Sequence, residues 1–357
     1  MTGREKLAAI AGALVFAVGA AACSGGGPTE SVVKAERWHA ADRLFHQDPR
    51  WLGSDGAYSV FLGGSRVLWL FGDTFIANGR SRVRSKAAFI RNSIGLQEGL
   101  DPTDASMSFY WRQKDGRPSS FFPGDGDRWY WPKHGLQLGR TLVVFLSRIK
   151  SKPKEPCCFN FAADGWRLAA IDDSPTRPEH WTLRIAAPPA VLEALVPEAV
   201  NVVGEYAVAL ALGDDSSGYL VRWRVGDLAA GRLGSAEWWT ARGWMSALDP
   251  RGRPMRVVRR VGPEASVSFE QEVHRWVLVW TQGFGAATLV VSFAPRLEGP
   301  WTVPIAVYHP PEGNRPGNLI YAGKGHPELE GADLPVTYVA STAYYPRFVK
   351  LAFSSHE

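Results

Sequence analysis

From Trp51 onward, apolar positions come in short, dense runs separated by Gly, Pro, Asp and Asn. "TLVVFLSRI" (141–149), "EYAVALALG" (205–213), "RWVLVWTQG" (275–283) and "ATLVVSFAP" (287–295) are typical. Such runs, rich in β-branched and aromatic residues and bounded by turn formers, predict β-strands. Helical spacing is scarce, and its best instance, "PPAVLEALVPEAV" (188–200), is interrupted by Pro197. The expected fold class is all-β.

The runs are also grouped. Units can be drawn near 51–99, 120–188, 200–247, 262–311 and 318–355. Each begins with a polar or acidic residue, continues through hydrophobic strands and ends in a Pro/Gly loop. The fourth is the clearest: "EASVSF", "RWVLVWTQG", "ATLVVSFAP" and "GPWTVPIAVYHPP" are four strands with turns between them, which makes one propeller blade. Five units predict a five-bladed β-propeller, with a two-sheet sandwich as the alternative.

The amino-terminal residues break this pattern. Arg4 and Lys6 precede an apolar, small-residue stretch that ends at Ala22, as in a secretory signal, and Cys23 follows. The segment resembles a lipoprotein signal, which implies lipidation of Cys23 and a membrane anchor outside the cytoplasm. "SGGGPTES" after it reads as a tether. The expected division is a signal over 1–22, a tether over 23–36 and the propeller over 37–357. A formal charge of +5 on 357 residues is too small to suggest a nucleic-acid partner. Cys157 and Cys158 are adjacent and offer no metal-ligand spacing.

One hairpin carries residues that a sheet does not want. In "WLGSDGAYSVFLGGSRVLWLFGDTFIANG" (51–79), Asp55 and Asp73 stand at the start and near the end. Aspartate is depleted in strands and costly to bury unpaired. In a propeller the innermost strand of each blade lines the axial channel, so polar residues that open the blades converge there. The openers are Asp55, Trp131 and His134 in "RWYWPKHG", Glu205, Glu264, and His326 with Glu328 in "GHPEL". Carboxylates gathered with aromatic residues suit glycosidic-bond cleavage. One carboxylic acid protonates the leaving oxygen, while a second carboxylate activates water or attacks the anomeric carbon.

"SDGAYSVFLGGSRVLWLFGDTFI", "AAFIRNSIG", "YWPKHGLQLGRTLVVFLSR", "PEASVSF", "EGPWTVPIAVY" and "YAGKGHPEL" together resemble a bacterial five-bladed propeller group of long-unknown function. Some of its members are assigned to glycoside hydrolase family 183, endo-acting D-arabinanases. The resemblance runs from about Trp51 to Phe353. It implies a polysaccharide substrate and a first-blade acidic pair at Asp55 and Asp73, with Glu264 as a third carboxylate. Asp73 lies among Phe71, Thr74 and Phe75, so desolvation favours it as the proton donor. Trp131, His134, His326, Glu328 and Asn92 are candidate substrate-binding residues, with corner-forming roles open for His326 and Glu328. Glu205 reads as structural.

Two further features stand outside this set. Arg80, Arg82, Arg84 and Lys86 share a face if "GRSRVRSKAA" is extended. Asp125 and Asp127 lack the remaining oxygen ligands of a calcium loop. No hydrolase elbow, zinc-protease, phosphate-loop or dinucleotide motif is present in the sequence, and no cofactor is expected. A non-catalytic propeller that binds glycans or a protein stays open as the alternative. So does a lyase using a His base beside an Arg cluster.

Overall fold

The computed structural model describes residues 32–153, 159–174, 176–283 and 285–354. Cys23, the signal, the tether up to residue 31, Cys157 and Cys158 lie outside the described residues.

Five antiparallel sheets form the blades of a propeller, and a two-stranded ribbon (Arg112–Lys114 with Arg117–Ser119) stands apart from them. Their innermost strands are Trp51–Gly63, Trp129–Leu138, Val196–Val203, Ser266–Glu270 and Ile320–Gly325. Each touches the inner strand of the next blade, and the fifth touches the first. Blade one continues outward through Arg66–Ile76, Ser93–Glu98 and Ser106–Tyr110. Blade five runs outward through Leu334–Ala340 and Pro346–Ser354. Its outermost strand, Val32–Arg37, comes from the other end of the chain, with Val32 opposite Ser354 and Arg37 opposite Val349. The tether expected to reach Glu36 therefore gives way to a strand at Val32.

The dense apolar runs have a direct cause. A blade strand is covered on both faces, so its alternating side chains enter two different cores. On Arg66–Ile76, Val67, Trp69 and Phe71 pack toward Phe348 of blade five, while Leu68 and Leu70 pack toward Leu142 and Val144 of blade two. On Tyr206–Leu212, the alanines 207, 209 and 211 meet Phe145 and Trp166 of blade two. Val208, Leu210 and Leu212 meet Leu278 and Trp280 of blade four. One core fills each of the five gaps between blades. A sandwich has one core, so that alternative falls.

The segment read as helical is not a helix. Ala190–Leu192 makes a single 3-10 turn, and Val196–Val203 is the inner strand of blade three. Pro197 is tolerated because the register with Tyr206–Leu212 slips between Pro197 and Ala199.

Candidate active site

Four inner strands lose their regular pairing at the level of their polar residues. In blade one the register slips on both sides of Ser54–Gly56, and two residues, Gly72 and Asp73, oppose Asp55. The bulged residues are Lys133 and His134 in blade two, Glu198 in blade three, and Ala322 and Gly323 in blade five. A bulge breaks the two-residue alternation and re-aims side chains. Here it lets polar groups turn into the channel while their neighbours stay in the inter-blade cores.

Asp55 and Asp73 thus meet from adjacent strands. Ser54 Oγ lies 2.9 Å from the Asp73 carbonyl oxygen and 2.9 Å from Thr74 Oγ1, tying the two strands together at this level. A Cβ at Gly72 would collide with Oδ1 of Asp55, so any other residue there would displace this carboxylate. Tyr321 and Tyr344 donate their hydroxyls to Oδ2 of Asp55 at 3.1 and 3.0 Å. Burial pushes the Asp55 carboxyl up to about 8, with the charges of Asp73 and Glu264 adding to the effect and the two tyrosines opposing it. Asp73 is raised by burial too, against the opposing pull of Trp131 and Arg91. Its Oδ1 accepts the Trp131 indole N–H at 2.9 Å, and Arg91 lies 3.4 Å from Oδ2. Asp73 thus has an indole and a guanidinium against its burial, whereas Asp55 has two tyrosine hydroxyls set against two neighbouring acids.

Glu264 sits just before the inner strand of blade four with a left-handed backbone, φ +64°. A Cβ on Gly56 would be 3.7 Å from its Oε1, which places this carboxylate against the Asp55 strand. The Glu264 N–H donates to Oε2 of Glu198 at 2.8 Å. Glu198, buried, also accepts the Tyr58 hydroxyl at 2.8 Å and lies 3.1 Å from Lys133 Nζ. Burial pulls the Lys133 ammonium down, but Glu198 and Glu264 hold it above its ordinary value. A second buried lysine, Lys324, donates to the carbonyls of Gly56 and Ala322 and lies 4.5 Å from the centre of the Tyr58 ring. Burial lowers it to about 8, although Glu264 pulls the other way.

Ala57, Glu264, Ala322 and Tyr344 all have positive φ, between 56° and 64°. Each such residue costs roughly 1–2 kcal/mol. Four of them around one carboxylate, held by surrounding hydrogen bonds, mark a site rather than a run of unrelated turns.

The chain belongs to the family called Domain of unknown function (DUF5005). The family profile matches residues 39–343, which includes every side chain of the acidic cluster except Tyr344. No curated protein matches the chain. Among solved structures, a proposed hydrolase of Bacteroides ovatus is similar at 14% identity, over 89% of this chain and 90% of its own, with a TM-score of 0.67. The catalytic domain of a family 62 α-L-arabinofuranosidase from Coprinopsis cinerea is similar at 11% identity, covering 85% of this chain and 92% of its own (TM-score 0.46). An endo-arabinase of Bacteroides thetaiotaomicron is similar at 11% identity over 86% and 95%, with a TM-score of 0.39. At such identities the first likeness speaks for the fold alone, and the other two superpose too loosely to bear on function.

In this DUF5005 chain the remaining sequence-derived residues disperse. Trp131 joins the acidic cluster through Asp73. Asn92 is fully buried and bonds the backbone of Phe122 and Tyr130, so its amide is committed to the fold. His134 accepts the Val200 N–H at 3.1 Å, and burial lowers it to about 4. His326 is fully buried between Ser59 and Thr337. His134 and Glu328 line a cavity of about 490 Å³ together with Phe61, Gln137 and Val202. In each blade the lining residues follow the polar residues of the acidic cluster along the chain, so this cavity lies further along the channel than the acids. Glu205 occupies the exposed hairpin turn beyond Val203 and pairs with Arg224 at 2.7 Å. Arg82 and Arg84 bond loop carbonyls at Gly79 and Thr342 instead of presenting one strand face. Asp125 and Asp127 are paired with Arg148 and Arg128.

Proposed function

We propose that this DUF5005 chain is a glycoside hydrolase that cleaves within a furanose-rich polysaccharide, with D-arabinan as the first substrate to try. The observation that carries this reading is the unequal setting of two neighbouring carboxyls. Asp55 is pushed up to about 8 by burial and by Asp73 and Glu264, so it holds a proton at neutral pH. Asp73 is supported by the Trp131 indole and Arg91, which stabilise a charge. Two adjoining carboxyls, both raised by burial but given different partners, suit general acid and base, or nucleophile, on one glycosidic bond. Asp55 is assigned as the acid and Asp73 as base or nucleophile, with Glu264 keeping Asp55 protonated.

The non-catalytic alternative draws on one feature. The Asp73–Arg91 pair, at 3.4 Å, could serve only to neutralise the aspartate. A product assay decides between the two. Wild type, Asp55→Asn and Asp73→Asn are incubated with D-arabinan, L-arabinan and arabinoxylan. Oligosaccharides from one polymer, absent with both folded variants, support the hydrolase. Activity that survives both substitutions removes the assigned pair, and retention on a glycan gel without products favours the binding module.

The amino-terminal pattern supports a location outside the cytoplasm, anchored by lipid on Cys23. Intact-mass analysis of Cys23→Ser beside the wild type tests this, because the diacylglycerol increment should disappear with the thiol.

A further inference from the structure

A series of partly exposed aromatic rings, bridged at one step by Arg91, starts beside Asp55 and passes Asp73. Tyr344, which donates to Asp55, has its ring 5.3 Å from Phe75, and Phe75 is 5.1 Å from Phe89. The Arg91 guanidinium lies 5.0 Å from the Phe89 ring and 4.1 Å over Trp129. Trp129 meets Trp131 at 6.2 Å, and Trp131, which donates to Asp73, meets Phe161 at 4.8 Å. Phe159 stacks on Phe161 at 5.1 Å and ends the series. None of these rings is buried, and Phe89 and Phe159 are 46% and 54% exposed.

Topology explains the alignment. Tyr344 and Phe159 lie on the loops that join the second and third strands of blades five and two. Phe75 and Phe89 flank the corresponding loop of blade one. Trp129 and Trp131 begin the inner strand of blade two. All are at the acidic mouth. A soluble domain rarely leaves so many adjoining rings uncovered without a partner for them.

The geometry points to a polysaccharide-binding rail across blades five, one and two, which holds several consecutive sugars of a neutral glycan beside the carboxylates. This rests on the glycan reading of the same site and adds where the polymer lies. Aromatic faces cover the apolar C–H faces of sugar rings. A neutral occupant suits this surface because both cations against the series are engaged, Arg91 with Asp73 and Arg84, 6.0 Å from the Phe75 ring, with the Thr342 carbonyl, and the nearby carboxylates repel an anionic chain.

The test is affinity electrophoresis of Asp55→Asn, which leaves the Asp73–Arg91 and Asp73–Trp131 contacts in place, through gels containing D-arabinan, L-arabinan, arabinoxylan or polygalacturonate. Phe89→Ala, Phe159→Ala and their double variant are run in that background, with Val303→Ser, exposed at 83%, as the control. Retention by a neutral polymer, weakened about tenfold in the double variant and unchanged in the control, supports the rail. Equal melting temperatures establish that the variants are folded. Retention indifferent to both phenylalanines, retention by polygalacturonate alone, or no retention overturns it. The readout needs no turnover. Ring-dependent retention by a wild-type protein that yields no products would therefore remove the hydrolase and leave the rail, and products formed without ring dependence would do the reverse.

Discussion

The backbone N–H of Glu264 donates to the carboxylate of Glu198 at 2.8 Å, across the boundary between blades four and three. This bond holds a glutamate in a left-handed conformation that it would otherwise avoid. Glu198 can hold it because Lys133 neutralises its charge and Tyr58 fills another lone pair. Glu198→Ala is therefore expected to cost about 3–5 kcal/mol, the penalty of leaving a buried ammonium unpaired. Glu198→Gln keeps an acceptor for the Glu264 N–H and should cost less. Urea denaturation of both variants checks the order, and equal losses would mean that the Glu264 contact contributes little.

Asp55 sets the expected pH dependence. If its protonated form donates to the leaving group, activity falls as pH rises through about 8. Glu264→Gln removes a charge that raises Asp55, so this alkaline limb should move toward lower pH. The stability argument has the same sign. Between about 4, where an unfolded aspartate ionises, and about 8, the folded chain retains a proton that the unfolded chain has lost. Stability from Asp55 is present below that window and declines as pH rises through it. Asp55→Asn should flatten the decline, as read from urea midpoints at pH 5 and 8.

Much of this was legible in the sequence, because a strand buried on both faces leaves an unbroken apolar run and turn formers mark its ends. Val67 to Phe71 and Leu142 to Leu146 were readable for that reason. The site was only half legible. Asp55 and Asp73 stood out as acids in a hairpin, whereas Glu198 was hidden in a segment whose Leu and Val spacing imitates a helix. Glu205 looked like the blade opener but is the hairpin turn at the far end of the same strand. Lys133 and Lys324 lie within the quoted segments, one and two residues before the histidines chosen there. Bulges at Lys133–His134 and Ala322–Gly323 decide which side chain enters the cleft, and no alternating pattern reveals a bulge. Tyr321 and Tyr344 reach Asp55 from the other end of the chain and gave no local signal.

Ring closure offers a separate test. Arg37, on the outermost strand of blade five, donates to the Phe348 carbonyl and to Asp42, and Asp42 in turn accepts the Phe348 N–H at 2.9 Å. Arg37→Ala is expected to cost about 1.5–3 kcal/mol in urea denaturation, the range for a charged hydrogen bond. Deleting residues 32–37 should do more, since it uncovers the edge of Pro346–Ser354 and invites pairing between molecules. Light scattering at rising protein concentration reports that association, and a monomeric deletion variant of unchanged stability would show that the strand is dispensable.

The two tyrosines on Asp55 provide a shift of opposite direction. Both hydroxyls donate to Oδ2, and a hydrogen bond to the ionised form lowers a carboxyl's pKa. Tyr321→Phe and Tyr344→Phe each remove one donor and leave the ring in place. Asp55 should then hold its proton more tightly, moving the alkaline limb of kcat/KM upward by about one to two pH units per bond, if each is an ordinary charged hydrogen bond. Glu264→Gln moves the same limb downward, so the three variants bracket the wild type. A limb that stays in place in all three belongs to another group. Lys324, held near 8 in the same channel, would then be the next to replace, and Lys324→Met would move the limb where the tyrosines had not.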